Sequence, residues 1–186
     1  MRPDPALAAP AARRALARSA FHVVPGAPPA GLAEALAGIP PGDVPSIRMR
    51  GPAAAAGEAL AERLAGSALP EGVRRALARD VATLGRLAAA VGRRQEVSVR
   101  FEAITGDGCR LFHRDAVPLR LATTYLGPGT EFLDDAASGE PSPEEIRRIP
   151  TGAVALFRGG ADGLVHRSPP IAGSGLHRVF LAIDPA

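Results

Sequence analysis

The chain carries His113-Arg114-Asp115, then His166, then Arg178. Two histidines and one carboxylate are the side chains that hold non-haem Fe(II) by one triangular face, leaving positions open for substrate and oxygen. In an extended strand residues i and i+2 point the same way, so His113 and Asp115 can reach one metal together. His166 lies 51 residues beyond Asp115, enough chain for several strands before a third ligand returns. Arg178 follows 12 residues later, where a planar cationic fork could clamp an acidic co-substrate.

The neighbouring residues have plainer readings. His22 falls in a Pro/Gly-rich N-terminal stretch and reads as structural or surface. His177 precedes Arg178 on a strand, so an inward Arg178 turns His177 outward; Arg167, beside His166, turns away for the same reason. Arg120, five residues after Asp115, is either a second carboxylate clamp or a strand arginine facing solvent. Cys109 shares the His113 face and reads first as a buried structural thiol.

These residues need a scaffold. Residues 1–52 read as an irregular extension with one short helix, rich in Pro25, Pro28, Pro29, Pro40, Pro41 and Pro45. Residues 53–186 read as a single helix-flanked domain. From Ala53 the period is helical, with Leu60 and Leu64 four apart and Gly66 as a stop. Val73, Leu77, Val81, Leu84, Leu87 and Val91 then recur every three or four residues, predicting a long amphipathic helix over 70–92.

After Gly92 the period falls to two. Val97, Val99 and Phe101 alternate with polar residues up to Gly106-Asp107-Gly108, which predicts a hairpin returning along Cys109–Asp115. Strands are expected at Leu119–Leu126, Ala153–Arg158, Gly163–His166 and Leu176–Ile183. A short helix is expected from the Ser142-Pro143-Glu144-Glu145 cap to about Pro150. Helices followed by a run of strands predict an α+β fold whose strands close into a small barrel or sandwich. Residues 20–50 and 131–149 are expected to wall the pocket.

Composition narrows the partners. All 22 basic residues are arginine, yet the net charge is only +3, which gives no strong nucleic-acid signal. One cysteine excludes an internal disulfide and a Cys-rich zinc module, and fits a reducing, cytoplasmic compartment. No apolar run approaches the ~20 residues that span a bilayer. The Ala/Pro/Arg-rich start faintly resembles a transit peptide but reads more simply as a floppy bacterial N-terminus.

From His113 onward the chain resembles the Fe(II)/2-oxoglutarate-dependent oxygenases, particularly prolyl 4-hydroxylase-type catalytic domains. The shared order is His113-Arg-Asp115, Arg120, Thr123 or Thr124, Tyr125-Leu126 and Gly127-Pro-Gly129-Thr130-Glu-Phe132. It continues through Pro150-Thr-Gly152, Ala153–Phe157, His166, Pro170 and Arg178. Arg stands where that family usually has Lys, after a slightly longer loop. The stretches Phe112-His113, Thr124-Tyr125, Gly127–Thr130 and His166–Pro170 also resemble a bacterial family known as domain of unknown function 1826.

The resemblance implies a double-stranded β-helix (a jelly-roll or cupin-like barrel) with the N-terminal helices on its outer sheet. It implies Fe(II) held by His113, Asp115 and His166. It also implies 2-oxoglutarate as co-substrate, its far carboxylate on Arg178, with Tyr125 or Thr124 donating a further hydrogen bond. The expected activity is that of an oxygenase, a hydroxylase acting on a small-molecule or protein substrate. The competing expectation is a cupin-like protein that handles zinc or iron without turnover; an inward-facing Arg178 separates the two.

Overall fold

The computed structural model describes residues 1–134 and 141–186. Four helices come from α1 (Pro5–Leu16), α2 (Leu32–Ala37), α3 (Ala56–Leu64) and α4 (Glu71–Gly92). The strands are β1 (Phe21–Val24), β2 (Ile47–Pro52), β3 (Glu96–Ile104), β4 (Leu119–Leu126), β5 (Glu131–Leu133), β6 (Ile146–Arg148), β7 (Val154–Arg158), β8 (His166–Arg167) and β9 (Arg178–Pro185). Six form an antiparallel sheet in the order β1-β7-β4-β9-β3-β2, and three form a smaller one in the order β6-β5-β8.

The predicted long helix is α4. Its Val73, Leu77, Val81, Leu84, Leu87 and Ala88 are buried against Val97, Val99, Phe101, Leu121, Tyr125, Leu181 and Ile183 of the large sheet. α1 and α3 flank it on the same face. Gly57 permits a close α3–α4 crossing, because a Cβ there would stand 2.6 Å from the Cβ of Ala82. The other face of the large sheet carries Ala122, Ala155, Phe157, Phe180 and Ala182, and Phe132 and Leu164 cover part of it. The strand period of two thus sends alternate residues into a helix-side core and a site-side core. The fold is mixed helix and antiparallel sheet, and the two sheets do not close into a barrel.

Four expectations need correction. Residues 1–52 are not irregular: they supply α1, α2, and the two edge strands β1 and β2 of the large sheet. The predicted return strand over Cys109–Asp115 does not form; only an isolated bridge joins His113 to His166. Both edges of β3 are already filled, by β2 and β9, and Asp107 accepts from the backbone of Ile171 and Ala172 instead of closing a hairpin. The Ser142 capping box is present, but it caps a single 3-10 turn, Pro143–Glu145. The chain then leaves as β6, because Ile146–Arg148 pair with Leu133–Glu131. The strand expected over Gly163–His166 reduces to His166–Arg167, paired with β5. Of the segment expected to wall the pocket, residues 135–140 lie outside the described residues.

Candidate metal centre and anion pocket

His113 and Asp115 sit on an irregular stretch after β3, and His166 opens β8. The chain positions them through a two-way backbone clasp: His113 N–H donates to the His166 carbonyl at 3.0 Å, and His166 N–H returns the bond at 2.9 Å. Asp115 is held from below. Its carbonyl accepts from Gly160 N–H at 2.8 Å, and Gly159 lies so close that a Cβ there would overlap the carbonyl oxygens of Val117 and Asp115. One ligand atom from each of His113, Asp115 and His166 falls within 4.8 Å of the others. His166 and Asp115 are buried and His113 is half-buried.

Hydrogen bonding fixes the chemical form of each group. The Nδ1 atoms of His113 and His166 lie 2.9 Å and 3.0 Å from the carbonyl oxygens of Leu111 and Leu164. A carbonyl only accepts, so each Nδ1 carries a proton, which in the neutral tautomer leaves the lone pair on Nε2. Burial, the largest influence, pulls the His166 imidazole below its ordinary value, and the neighbouring His113 and Arg120 act the same way. The opposing pulls of the Leu164 carbonyl and Asp115 do not reverse this, so the site favours the neutral ring. On Asp115, Oδ1 accepts from Arg120 Nη1, whereas Oδ2 is buried without a hydrogen-bond partner among the described residues, 3.5 Å from His166 Nε2. A buried bare carboxylate oxygen is costly unless something cationic completes it. Two lone-pair nitrogens and that oxygen converge, which suits a divalent metal, and the carbonyl and guanidinium partners supply the outer support such ligands need.

Arg120 is not a free strand arginine facing solvent. Its Nε and Nη2 donate to Asp184 at 2.8 and 2.7 Å, and Nη1 goes to Asp115, so two protein carboxylates already engage the fork where it lines the cavity.

Arg178 opens β9 and is 1% exposed. It donates to Ser168 Oγ at 2.8 Å, Thr124 Oγ1 at 3.1 Å and Thr130 Oγ1 at 3.2 Å, and its guanidinium stands 5.2 Å over the Phe180 ring. Its Nε has no hydrogen-bond partner, and no carboxylate pairs with it among the described residues. Burial draws the Arg178 guanidinium down from its ordinary value to about 10. The acid that acts on it most strongly, Glu131, is engaged by Arg148 at 2.6 Å and Arg167 at 2.8 Å. A cationic fork held by three neutral hydroxyls keeps its charge uncompensated, which is the chemistry that pairs with an anion.

The cavity here, of about 320 Å³, is lined by His113, Asp115 and His166 together with Thr130, Phe157, Ser168 and Phe180. Of the residues expected at the site, His113, Asp115, His166 and Arg120 line it, and Arg178 and Thr124 stand behind its wall, Arg178 bonded to the lining Ser168 and Thr130 and to Thr124. Tyr125 does neither. Thr124 points to the site face, so its neighbour points to the helix face, where the Tyr125 hydroxyl donates to Asp80 Oδ2 at 2.8 Å. Tyr125 belongs to the helix-side core, and the co-substrate contact expected of it is corrected. Cys109 is exposed at the cavity rim, not buried, because the strand that would have buried it does not form. His22 lies in β1 and is half-buried.

Ser168, Thr130 and Asp184 were not anticipated. Ser168 sits two residues after His166 and so shares its side of an extended chain, and Thr130 ends the Gly127-Pro-Gly129 turn; both had a readable signal. That turn needs its glycines: Gly127 has φ +81, and a Cβ at Gly129 would overlap the Ile149 carbonyl oxygen. Asp184 lies 64 residues from Arg120, and no local pattern connects them.

The fold is similar to solved structures of oxygenases. One is a prolyl-4-hydroxylase from Pseudomonas putida, at 14% identity and TM-score 0.53, covering 94% of this chain and 96% of that one. Another is a dioxygenase for auxin oxidation from rice, at 18% identity and TM-score 0.51, covering 97% of this chain and 78% of that one. The chain itself belongs to the family described as protein of unknown function (DUF1826), whose model matches residues 13–184. No curated protein matches it by sequence.

Proposed function

We propose that this protein is an Fe(II)/2-oxoglutarate-dependent oxygenase, acting as a hydroxylase. Arg178 carries the reading: a buried guanidinium without a carboxylate partner, anchored by Ser168 and Thr130, which line the same cavity as the two histidines and Asp115. A protein that only bound metal would gain nothing from a desolvated cation there.

His113, Asp115 and His166 would hold Fe(II) through Nε2, Oδ2 and Nε2. When bound, iron and 2-oxoglutarate would supply the oxidising chemistry, with dioxygen consumed and succinate and CO₂ released. The chain's own residues bind, orient and shield. Arg178 would receive the far carboxylate of 2-oxoglutarate, and its three hydroxyl partners fix the fork in advance, so little side-chain freedom is lost on binding. Thr124 acts through Arg178 as its acceptor. Phe157 and Phe180 form apolar walls that keep water from the reacting atoms. Arg120 keeps Asp115 Oδ1 engaged, so that Oδ2 alone is offered.

Anaerobic titration of the metal-free protein with Fe(II) and 2-oxoglutarate tests the proposal. The expected result is a visible charge-transfer band that needs both components and disappears in Arg178→Ala. Iron or zinc binding that ignores 2-oxoglutarate would sink it and favour metal handling without turnover.

A further inference from the structure

The smaller sheet covers only part of the site-side face of the large one. Beyond it, β9, β3 and β2 present a second cleft of about 400 Å³, lined by Arg48, Arg50, Ser98, Arg100, Arg120, Ala182 and Asp184. It shares Arg100 and Arg120 with the metal cavity, so the two spaces adjoin.

The sheet register gives this cleft its character. Arg48 on β2 pairs directly with Arg100 on β3, Arg100 pairs with Ala182 on β9, and Ala182 pairs with Ala122 on β4. Each step is ~4.8 Å, so the two guanidinium-bearing positions stand side by side next to a floor of small residues. Like charges directly opposite on one face of an antiparallel pair are destabilising. What neutralises them is slight. Glu102 is shared between both, at 3.9 Å from Arg48 and 3.4 Å from Arg100, and Arg100 Nε is buried without a hydrogen-bond partner among the described residues. Arg50 next along β2 is engaged by Glu96 at 3.0 Å, and Arg120 by Asp115 and Asp184. Arg48, which is largely exposed, and Arg100 thus share a single carboxylate, whereas Arg50 has Glu96 and Arg120 has two carboxylates of its own. Arg100 also stands 5.5 Å over the Phe180 ring, whose other guanidinium neighbour is Arg178, so the cleft adjoins the pocket proposed for the co-substrate.

We infer that the substrate of this site bears an anionic group, a phosphate or a carboxylate, received by the Arg48–Arg100 pair beside the metal cavity. The inference rests on the oxygenase reading for the word substrate, though not for the anion site. A group docked there leaves the rest of the molecule lying over Ala182 toward His113 and His166, with the co-substrate's own cation already taken. Two adjacent guanidinium forks suit an oxyanion, which both can engage by paired hydrogen bonds.

The test uses the protein loaded with Zn(II), which does not turn over, and saturated with 2-oxoglutarate. Phenyl phosphate and isophthalate are titrated in, with phenol and isophthalamide as uncharged counterparts, and binding is followed by ligand-observed NMR. The wild type is expected to bind at least one of the anions and neither neutral compound. The R48Q/R100Q double variant is expected to weaken that binding at least tenfold, while Arg75→Gln, an exposed helix arginine, leaves it unchanged. The tighter anion names the source of the charge. No anion binding to the wild type, or undiminished binding to the double variant, would overturn the inference. Thermal unfolding of Arg48→Gln is the second measurement: the melting temperature should hold or rise as the repulsion is relieved. A clear fall would mean that the pair serves the fold, and would overturn the inference too. Binding of 2-oxoglutarate is titrated beforehand on the wild type, where its absence counts against the oxygenase reading alone, and on the double variant, because Arg100 also lines the metal cavity; anion binding lost while 2-oxoglutarate binding is kept assigns the loss to the Arg48–Arg100 cleft.

Discussion

Arg120 donates to Asp115 through one nitrogen and to Asp184 through two others, so a single guanidinium ties the metal-facing carboxylate to the C-terminal strand. Asp115 is left with one engaged oxygen and one bare one. Arg120→Gln should therefore weaken metal binding by roughly 10- to 100-fold, the usual cost of losing a group that orients a ligand. It should also lower stability by ~1–3 kcal/mol, because Asp184 loses its partner. Anaerobic Fe(II) titration and urea unfolding of the same variant measure both. Unchanged iron affinity would show that Asp115 does not depend on Arg120.

Arg178 makes an opposite trade. A buried cation without a carboxylate partner weighs against the fold, and an apolar side chain of similar length removes that burden. Arg178→Met should leave the metal-free protein as stable as the wild type or up to ~2 kcal/mol more so. At the same time its affinity for 2-oxoglutarate should fall by at least ~30-fold through loss of a charge-assisted pair. Calorimetric melting with and without 2-oxoglutarate reads both effects, since the ligand should raise the wild-type melting temperature and leave the variant's unmoved.

Tyr125→Phe separates the two faces of the large sheet. The hydroxyl serves Asp80, which also accepts from Arg2 at 3.0 Å, and burial pushes the phenol well above its ordinary value, as does Asp80. The variant should lose ~1–2 kcal/mol of stability while binding 2-oxoglutarate like the wild type. Weakened co-substrate binding at full stability would return Tyr125 to the site.

Glu131 sets an acid limit. Burial alone would raise its carboxyl, but the hydrogen bonds from Arg148 and Arg167 outweigh burial and hold it below 4.5. A depressed carboxyl contributes stability that is fully present above the unfolded value near 4.5 and is lost as pH falls through the lower folded value. Glu131→Gln should cost ~1–2 kcal/mol at pH 7, and its difference from the wild type should shrink on acidification below about pH 4.5. Urea denaturation at a series of pH values from 3 to 7 follows that convergence.

The sequence alone determined the parts that depend on near neighbours. The burial period of 3–4 residues fixed α4, alternation fixed β3, short apolar runs marked β4, β7 and β9, and the Gly127-Pro-Gly129 turn marked the Thr130 corner. The types and order of His113, Asp115, His166 and Arg178 were legible because each is the side chain its chemistry requires. What the tertiary structure alone decided are matters of pairing and facing. β3 could not take a return strand because β2, from a segment that reads as irregular, fills its free edge. Pairing across ~50 residues has no local signature, since backbone donors accept any partner that closes the sheet. The same holds for Arg120, whose partner lies 64 residues on, and for Tyr125, whose facing follows from the phase of β4. Arg48 and Arg100 are unremarkable as letters, and become a pair of facing cations only once β2 and β3 settle into register.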